Sequence, residues 1–168
     1  MISRLISLSI AIGALIASTL AAAAPSVMQA QLEGIADGDT IYVRDTEQNA
    51  SYRVRLAMID APESAQDYGI ESKAALQQLL RGAGLLTLHV DSSDRYGRLI
   101  ALVKDERNRN INLEMVSQGA AWVYTQYAKR GAFGDQYSFF SNAERQARIR
   151  QIGLWRNPEP IEPWRFRR

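Results

Sequence analysis

An α+β domain, mainly β, is what this sequence predicts, and three observations predict it. Val54, Leu56 and Met58 alternate with Arg53, Arg55 and Ala57, the two-residue period of a half-buried strand. Asp37-Gly38-Asp39 interrupts an apolar pattern with a turn signal, because glycine tolerates the backbone angles of a tight turn. From Gly69 the period lengthens to that of a helix, with Ala74, Ala75, Leu76, Leu79 and Leu80 apolar and Glu71, Lys73, Gln77 and Gln78 polar. The order is strands, a helix, strands and then helices, with no internal repeat and no second domain.

Taken in order, residues 1–24 read as a secretory signal and not as part of the fold. Arg4 supplies a positive start, Leu5 to Leu20 is apolar, and Ala22-Ala23-Ala24 offers small residues for cleavage near Ala23 or Ala24. The apolar run is short and lacks a basic stop-transfer flank, so no stable membrane span is expected after cleavage. An uncleaved N-terminal anchor is the alternative. Export to the periplasm or the medium follows, with residues 25–168 as one domain and an arginine-rich tail from about residue 156.

Pro25 to Glu33 reads as a weak first strand, Thr40 to Arg44 as the next, and Ser51 to Ile59 as the return strand of a hairpin. Pro62 cannot donate to a ladder, so that strand stops near Asp60. A helix spans Gly69 to Gly82, followed by strands at Leu85 to Asp91 and Leu99 to Val103 around the turn Asp94-Arg-Tyr-Gly-Arg98. Asn112 to Gln118 reads as a short helix. Ser138 to Ile152 reads as an amphipathic one with Phe139, Ala143, Ala147 and Ile149 toward the core. The segment with Trp122, Tyr124 and Tyr127 is less regular, and Trp164-Arg-Phe-Arg-Arg168 can be read simply as a frayed tail, with a role for its arginines left open.

Composition excludes much chemistry. The chain has no cysteine, which removes thiol nucleophiles, thiolate metal sites and disulfides. Its one histidine, His89, rules out paired-histidine zinc motifs and lies on the face of its strand opposite Leu86, Leu88 and Val90. The leader holds one of the 20 basic residues and none of the 18 acidic ones, leaving the mature chain near neutral. Any nucleic-acid contact must therefore come from local clusters. Carboxylates, arginines, hydroxyls and a hard metal remain.

The stretch Arg53 to Glu63 concentrates them. Arg55, Asp60 and Glu63 sit on, at the end of, and just beyond one strand, and the hairpin brings Asp39 toward Asp60 with Asp37 beside it. Two like charges about 4 Å apart repel by roughly 4 kcal/mol at an effective dielectric near 20, so such a corner calls for a cation. Oxygen ligands select Ca²⁺ or Mg²⁺. Arg55 beside them argues that an anion binds as well. Solvated charges on an edge strand, and a structural hairpin turn at Asp37-Gly38-Asp39, would each explain their own stretch alone.

The set of motifs resembles the staphylococcal nuclease (thermonuclease) family. The matching blocks are Ile35-Ala-Asp-Gly-Asp-Thr40, Val54-Arg-Leu-Ala-Met-Ile-Asp-Ala-Pro-Glu63, Asp94-Arg-Tyr-Gly-Arg98, Asn112-Leu-Glu-Met-Val-Ser-Gln-Gly-Ala120 and Ile152-Gly-Leu-Trp155. The resemblance covers about Ile35 to Trp155 and implies a five-stranded OB-type β-barrel with three α-helices. It also implies Ca²⁺-dependent endonuclease hydrolysis of DNA and RNA that leaves 3′-phosphates. By position it makes Asp39, Asp60 and the backbone carbonyl of Ala61 the Ca²⁺ ligands, with Asp37 acting from just behind them. Glu63 matches the general base, and Arg55 and Arg98 match the phosphate-binding arginines. Arg95, Tyr96, Tyr124 and Tyr127 fall in the substrate pocket, where the chain departs from the family. Thr125 stands at one tyrosine of the nucleotide-binding pair, Tyr124 is displaced by one, and Arg95 replaces a lysine. A monomer is expected.

Two rival readings are open at this stage. An OB barrel can grip single-stranded nucleic acid by stacking without cleaving it, although here every acid and arginine of the matched motifs is kept. A two-carboxylate glycoside hydrolase leaves Arg55 and Arg98 without a role.

Overall fold

The structure, a computed structural model, describes residues 25–168. The leader expected over residues 1–24 lies outside the described residues. No helix among the described residues is long and apolar enough to cross a membrane.

Five strands close into a barrel: β1 (Ser26–Ile35), β2 (Thr40–Asp45), β3 (Ser51–Leu56), β6 (Leu99–Lys104) and β5 (Leu85–Ser93), in that spatial order. Closure depends on the long first strand. Its first half, Ser26 to Gln31, pairs antiparallel with β5, while Ala30 to Ile35 pairs antiparallel with β2. A register shift between Leu32 and Gly34 bends β1 between its two partners. The ring is completed by the antiparallel β5–β6 pair and a parallel β3–β6 pair, Val54 to Leu56 against Leu99 to Ala101. A closed ring leaves no exposed edge for another chain to pair with.

Alternation along the strands fills this barrel. Ala30, Ile41, Val43, Val54, Leu56, Leu86, Leu88, Ala101 and Val103 are buried inside it. Burying a leucine such as Leu86 or Leu88 is worth about 1.5–3 kcal/mol.

The three expected helices correspond to α1 (Gly69–Leu79), α2 (Ile111–Ser117) and α4 (Tyr137–Ile149). Two single-turn helices add to them: α3 (Thr125–Ala128) and α5 (Pro163–Phe166). The register expected for α4 is corrected. Phe139 and Ile149 are exposed, and Phe140 with Ala147 faces the interior. Of two adjacent phenylalanines only one can lie on the buried stripe, and the packing of α4 on α2 selects the second. In α1, Ser72 is buried and Ala74 exposed, because the Ser72 hydroxyl donates to the Ala120 carbonyl at 2.7 Å.

The return strand of the hairpin ends sooner than expected. After Leu56 the chain turns through Ala57 and Met58, then makes the two-residue strand β4 (Ile59–Asp60), which pairs with β7 (Trp122–Val123). Met58 has φ 69°, a left-handed conformation that is costly for a side chain of its size. Asn112 holds the turn. Its buried amide donates to the Ala57 carbonyl at 2.9 Å and the Ala101 carbonyl at 3.0 Å, and its oxygen accepts the Val103 N–H at 3.0 Å. Where β3 has left the edge of β6, one side chain thus supplies the missing ladder partners.

Trp122, Ala147, Leu154 and Trp155 form a second apolar cluster, against which Tyr68, Ile152 and Trp164 pack. The Arg148 guanidinium lies 3.7 Å from the Trp155 ring centre and 4.7 Å from that of Trp122. The start of the expected frayed tail is packed, although residues 165–168 are exposed. Pro163 is buried, and Trp164 stacks on Tyr124 with ring centres 5.3 Å apart and planes 9° from parallel.

Candidate active site

The hairpin places Thr40 opposite Arg55, so Asp39 lies one residue beyond the last pair, beside the arginine. The Leu56 N–H donates to the Asp39 carbonyl at 2.8 Å, which extends the hairpin by one bond. The turn at Ala57–Met58 then doubles the chain back and delivers Asp60 to the other side of the same guanidinium. Arg55 Nη1 lies 2.7 Å from Asp39 Oδ2, and Nη2 lies 2.6 Å from Asp60 Oδ1. The Ala61 N–H donates to Asp39 Oδ2 at 2.9 Å, tying the two acid-bearing segments together. Asp37 Oδ1 accepts the Asp39 N–H at 3.0 Å, so this acid orders the turn behind the pair.

Two close backbone approaches make the corner possible. A Cβ on Gly38 would lie 2.7 Å from the Ala61 Cβ and would overlap the Ser72 hydroxyl. A Cβ on Gly69 would overlap the Glu63 carbonyl. The second contact lets the loop from Ala61 to Tyr68 fold onto the start of α1. Gln66 clamps that loop: its N–H donates to the Glu63 carbonyl at 2.8 Å, and its side-chain oxygen accepts the Glu63 N–H at 3.1 Å.

Burial raises the Asp60 carboxyl above its ordinary value, against hydrogen bonds from Arg167 and the charge of Arg55. Asp37 is raised first by burial and then by the charge of Asp39. For Arg55, burial works against the charged form, but Asp39 and Asp60 outweigh it and hold the guanidinium above its usual range. Three carboxylates, those of Asp39, Asp60 and Glu63, meet two guanidiniums, with Asp37 behind them, so acidic side chains outnumber basic ones at the corner.

The second guanidinium comes from the tail. Arg167 Nη2 lies 2.7 Å from Asp60 Oδ2, and its Nη1 lies 3.2 Å from Asp60 Oδ1 and 2.5 Å from Glu63 Oε1. These contacts hold Arg167 above arginine's ordinary value, the Asp60 hydrogen bond foremost.

Arg98 is not brought into contact with these acids. Its Nε donates to Asp94 Oδ2 at 2.8 Å and its N–H to Asp94 Oδ1 at 3.0 Å, which fixes the guanidinium across the turn. Arg95 Nη2 donates to the Tyr96 hydroxyl at 2.6 Å, and the exposed Tyr96 ring carries the guanidinium 4.8 Å from its centre. Tyr124 and Tyr127 meet with ring centres 4.6 Å apart, while Thr125 lies exposed at the start of α3. The Tyr124 N–H donates to the Met58 carbonyl at 2.8 Å, so the strained turn also anchors the aromatic segment. All of these except Thr125, together with Asp37, Asp39, Asp60, Ala61, Glu63, Arg55 and Arg167, line one open cleft of about 1270 Å³.

Sequence reasoning missed Arg167, Trp164, Asn112 and Gln66. A tryptophan among the charges of the tail, after a proline suited to the first turn of a helix, was the available sign that the tail packs. For Gln66 there was none.

The donor set fits a hard cation. Every candidate ligand is an oxygen, acidic side chains outnumber basic ones, and a guanidinium already bridges Asp60 and Glu63 as a cation would. Among the described residues no three acidic side chains converge on one point, because Arg55 stands between Asp39 and Asp60. Arg55 Nη1, although close to Asp39, has no aligned hydrogen-bond acceptor.

The chain is similar to nucleases of several bacteria. It is 42% identical over 134 residues, 80% of this chain and 70% of the relative, to an uncharacterized endonuclease of Haemophilus influenzae. An uncharacterized endonuclease of Escherichia coli is 38% identical over 133 residues, 79% of this chain and 80% of its own length. A protein of Shigella flexneri named micrococcal nuclease is 37% identical over 142 residues, 80% of this chain and 77% of its own. The staphylococcal nuclease homologue family matches residues 53–157, a span that contains Arg55, Asp60, Ala61, Glu63 and Arg98 but neither Asp39 nor the tail. With this barrel, this corner of acids and arginines and these relatives, the chain belongs to the staphylococcal nuclease family.

Proposed function

We propose that this chain is an endonuclease that hydrolyses phosphodiester bonds of DNA and RNA, depends on Ca²⁺ and leaves 3′-phosphates. The observation that carries this reading is the buried Arg55 guanidinium held between Asp39 and Asp60, with Glu63 one loop beyond. Asp39, Asp60 and the Ala61 carbonyl would hold the metal, with Asp37 ordering the turn behind them. Ca²⁺ supplies Lewis-acid polarisation of a phosphoryl oxygen when bound.

The remaining work falls to the chain's own groups. Glu63, 40% exposed at its side chain, faces the cleft and accepts a proton from the attacking water. Arg55, its guanidinium fixed between Asp39 and Asp60, sets a positive charge behind the phosphate's seat, and Arg98 reaches the same cleft from a turn stiffened by Asp94. Planar guanidinium forks suit the charge that develops on the phosphate oxygens. Tyr124 and Tyr127 offer stacking surface to a base, and Arg95 with Tyr96 borders the strand's path.

The decisive experiment is plasmid and RNA digestion with Ca²⁺, with excess EGTA, and with Glu63→Gln. Chelation abolishes cleavage, and Glu63→Gln lowers kcat by about 10²–10⁴-fold while the Kd of a nucleotide inhibitor barely moves. Full activity in EGTA refutes the metal assignment, and near-parental kcat in Glu63→Gln refutes the base. Binding of single strands without cleavage under any condition favours a non-catalytic binding module. We read residues 1–24 as an export signal, so the mature enzyme acts in the periplasm or the medium as a monomer. N-terminal sequencing and sedimentation check this.

A further inference from the structure

We propose that the segment Pro163 to Arg168 is a displaceable strap whose Arg167 occupies the cation seat at Asp60 and Glu63 and leaves it when a divalent cation binds. The proposal rests on the metal reading above and concerns this chain's own residues.

The oxygens of Asp60 decide the argument. Oδ1 already accepts from Arg55 at 2.6 Å and from Arg167 at 3.2 Å, and Oδ2 accepts from Arg167 at 2.7 Å. These bonds leave one lone pair on Oδ2, and the Asp60 side chain is 0% exposed, so a cation reaches it only by displacing a guanidinium. Arg55 is the harder one to move: its side chain is 13% exposed and it faces Asp39 as well, from a strand of the barrel wall. Arg167 is 39% exposed and follows the single turn α5.

The turn that carries it is short. α5 is a single turn, closed by the Arg165 and Phe166 N–H groups on the Glu162 carbonyl, and one helical turn has little stability of its own. The strap is otherwise held upstream of Arg167, by the buried Pro163, by Trp164 set edge-on to Trp122 with ring centres 5.7 Å apart and stacked on Tyr124, and by a hydrogen bond from Gln66 Nε2 to the Ile161 carbonyl.

Closure blocks three groups together. Arg167 covers Asp60, ties up Glu63 by hydrogen bond, and brings Trp164 onto one face of Tyr124. A nucleobase cannot stack on that face while the indole lies there. Withdrawal of one segment frees the ligand, the base and the aromatic surface at once. The strap thus makes the nuclease site open on cation binding.

The test is calorimetric titration of Ca²⁺ into the mature full-length protein, without nucleic acid, for the parent, Arg167→Ala and Arg168→Ala. Arg168 makes no ion pair among the described residues and controls for the change in net charge. A strap closed about nine-tenths of the time weakens apparent affinity about tenfold, so Arg167→Ala binds Ca²⁺ about tenfold more tightly than the parent. Arg168→Ala stays within about twofold, as expected for a charge screened by salt. Equal or weaker binding by Arg167→Ala overturns the strap and leaves the metal reading standing. Absence of Ca²⁺ binding in all three proteins overturns the metal reading, and the strap with it. In the unaltered protein, the indole N–H resonance of Trp164 shifts on saturation with Ca²⁺. An unmoved Trp164 signal at saturation also overturns the strap.

Discussion

Replacing Asn112 with leucine tests what holds the site strand in place. The amide is fully buried and joins Ala57, Ala101 and Val103, the first of them 55 positions away in sequence. Leucine matches its volume but offers no polar atom. The Ala101 carbonyl keeps the Ala57 N–H at 2.8 Å, so it stays satisfied. The Ala57 carbonyl and the Val103 N–H lose the partner that the structure gives them. A buried polar group left unpaired costs about 1–3 kcal/mol, so two of them predict a loss of about 2–6 kcal/mol. A domain of this size has only about 5–15 kcal/mol to lose. Urea unfolding followed by tryptophan emission reads the change as a lower midpoint at constant slope. The Ala57–Met58 turn should also slacken, releasing Asp60 from Arg55, so kcat falls even where the protein remains folded. A stability loss under about 1 kcal/mol with unchanged kcat would refute the view that Asn112 replaces the missing strand partner.

Gly69→Ala should lower kcat by more than about tenfold in a protein that still folds, because the new Cβ pushes the Glu63 backbone outward; circular dichroism and initial rates check it. Arg98→Lys keeps the charge but loses the planar fork that Asp94 orients, and should lose kcat heavily with little change in stability. For Asp94, burial would raise the carboxyl, but hydrogen bonds from the Arg98 side chain and backbone and the Tyr96 N–H outweigh it and hold it below 3.8. Its folded value is depressed, so its contribution to stability is present above about pH 3.8 and is lost as pH falls through the folded value. Asp94→Asn should accordingly flatten the stability profile below pH 4, measured by urea unfolding at stepped pH.

Local pattern carried much of this protein. The alternation in Val54, Leu56 and the strands around Leu86 and Val103 is a property of a few adjacent residues, and the barrel reuses it directly. Asp37-Gly38-Asp39 was legible as a turn from its composition, although the close approach of Ala61 and Ser72 that requires its glycine is a tertiary contact. The hairpin that follows brings Asp39 and Arg55 together through a short stretch of chain. What tertiary structure alone decided involves residues far apart in sequence. The parallel β3–β6 pair, the choice of Phe140 over Phe139, and Asn112 reaching back to Ala57 all depend on the path of the whole chain. The tail is the clearest case. Read locally, Arg165, Arg167 and Arg168 are solvated charges, since an arginine without a partner stays in water. Arg167 instead lies against Asp60, 107 positions away, because the fold gathers Asp39, Asp60 and Glu63 within reach of the residues that follow α5.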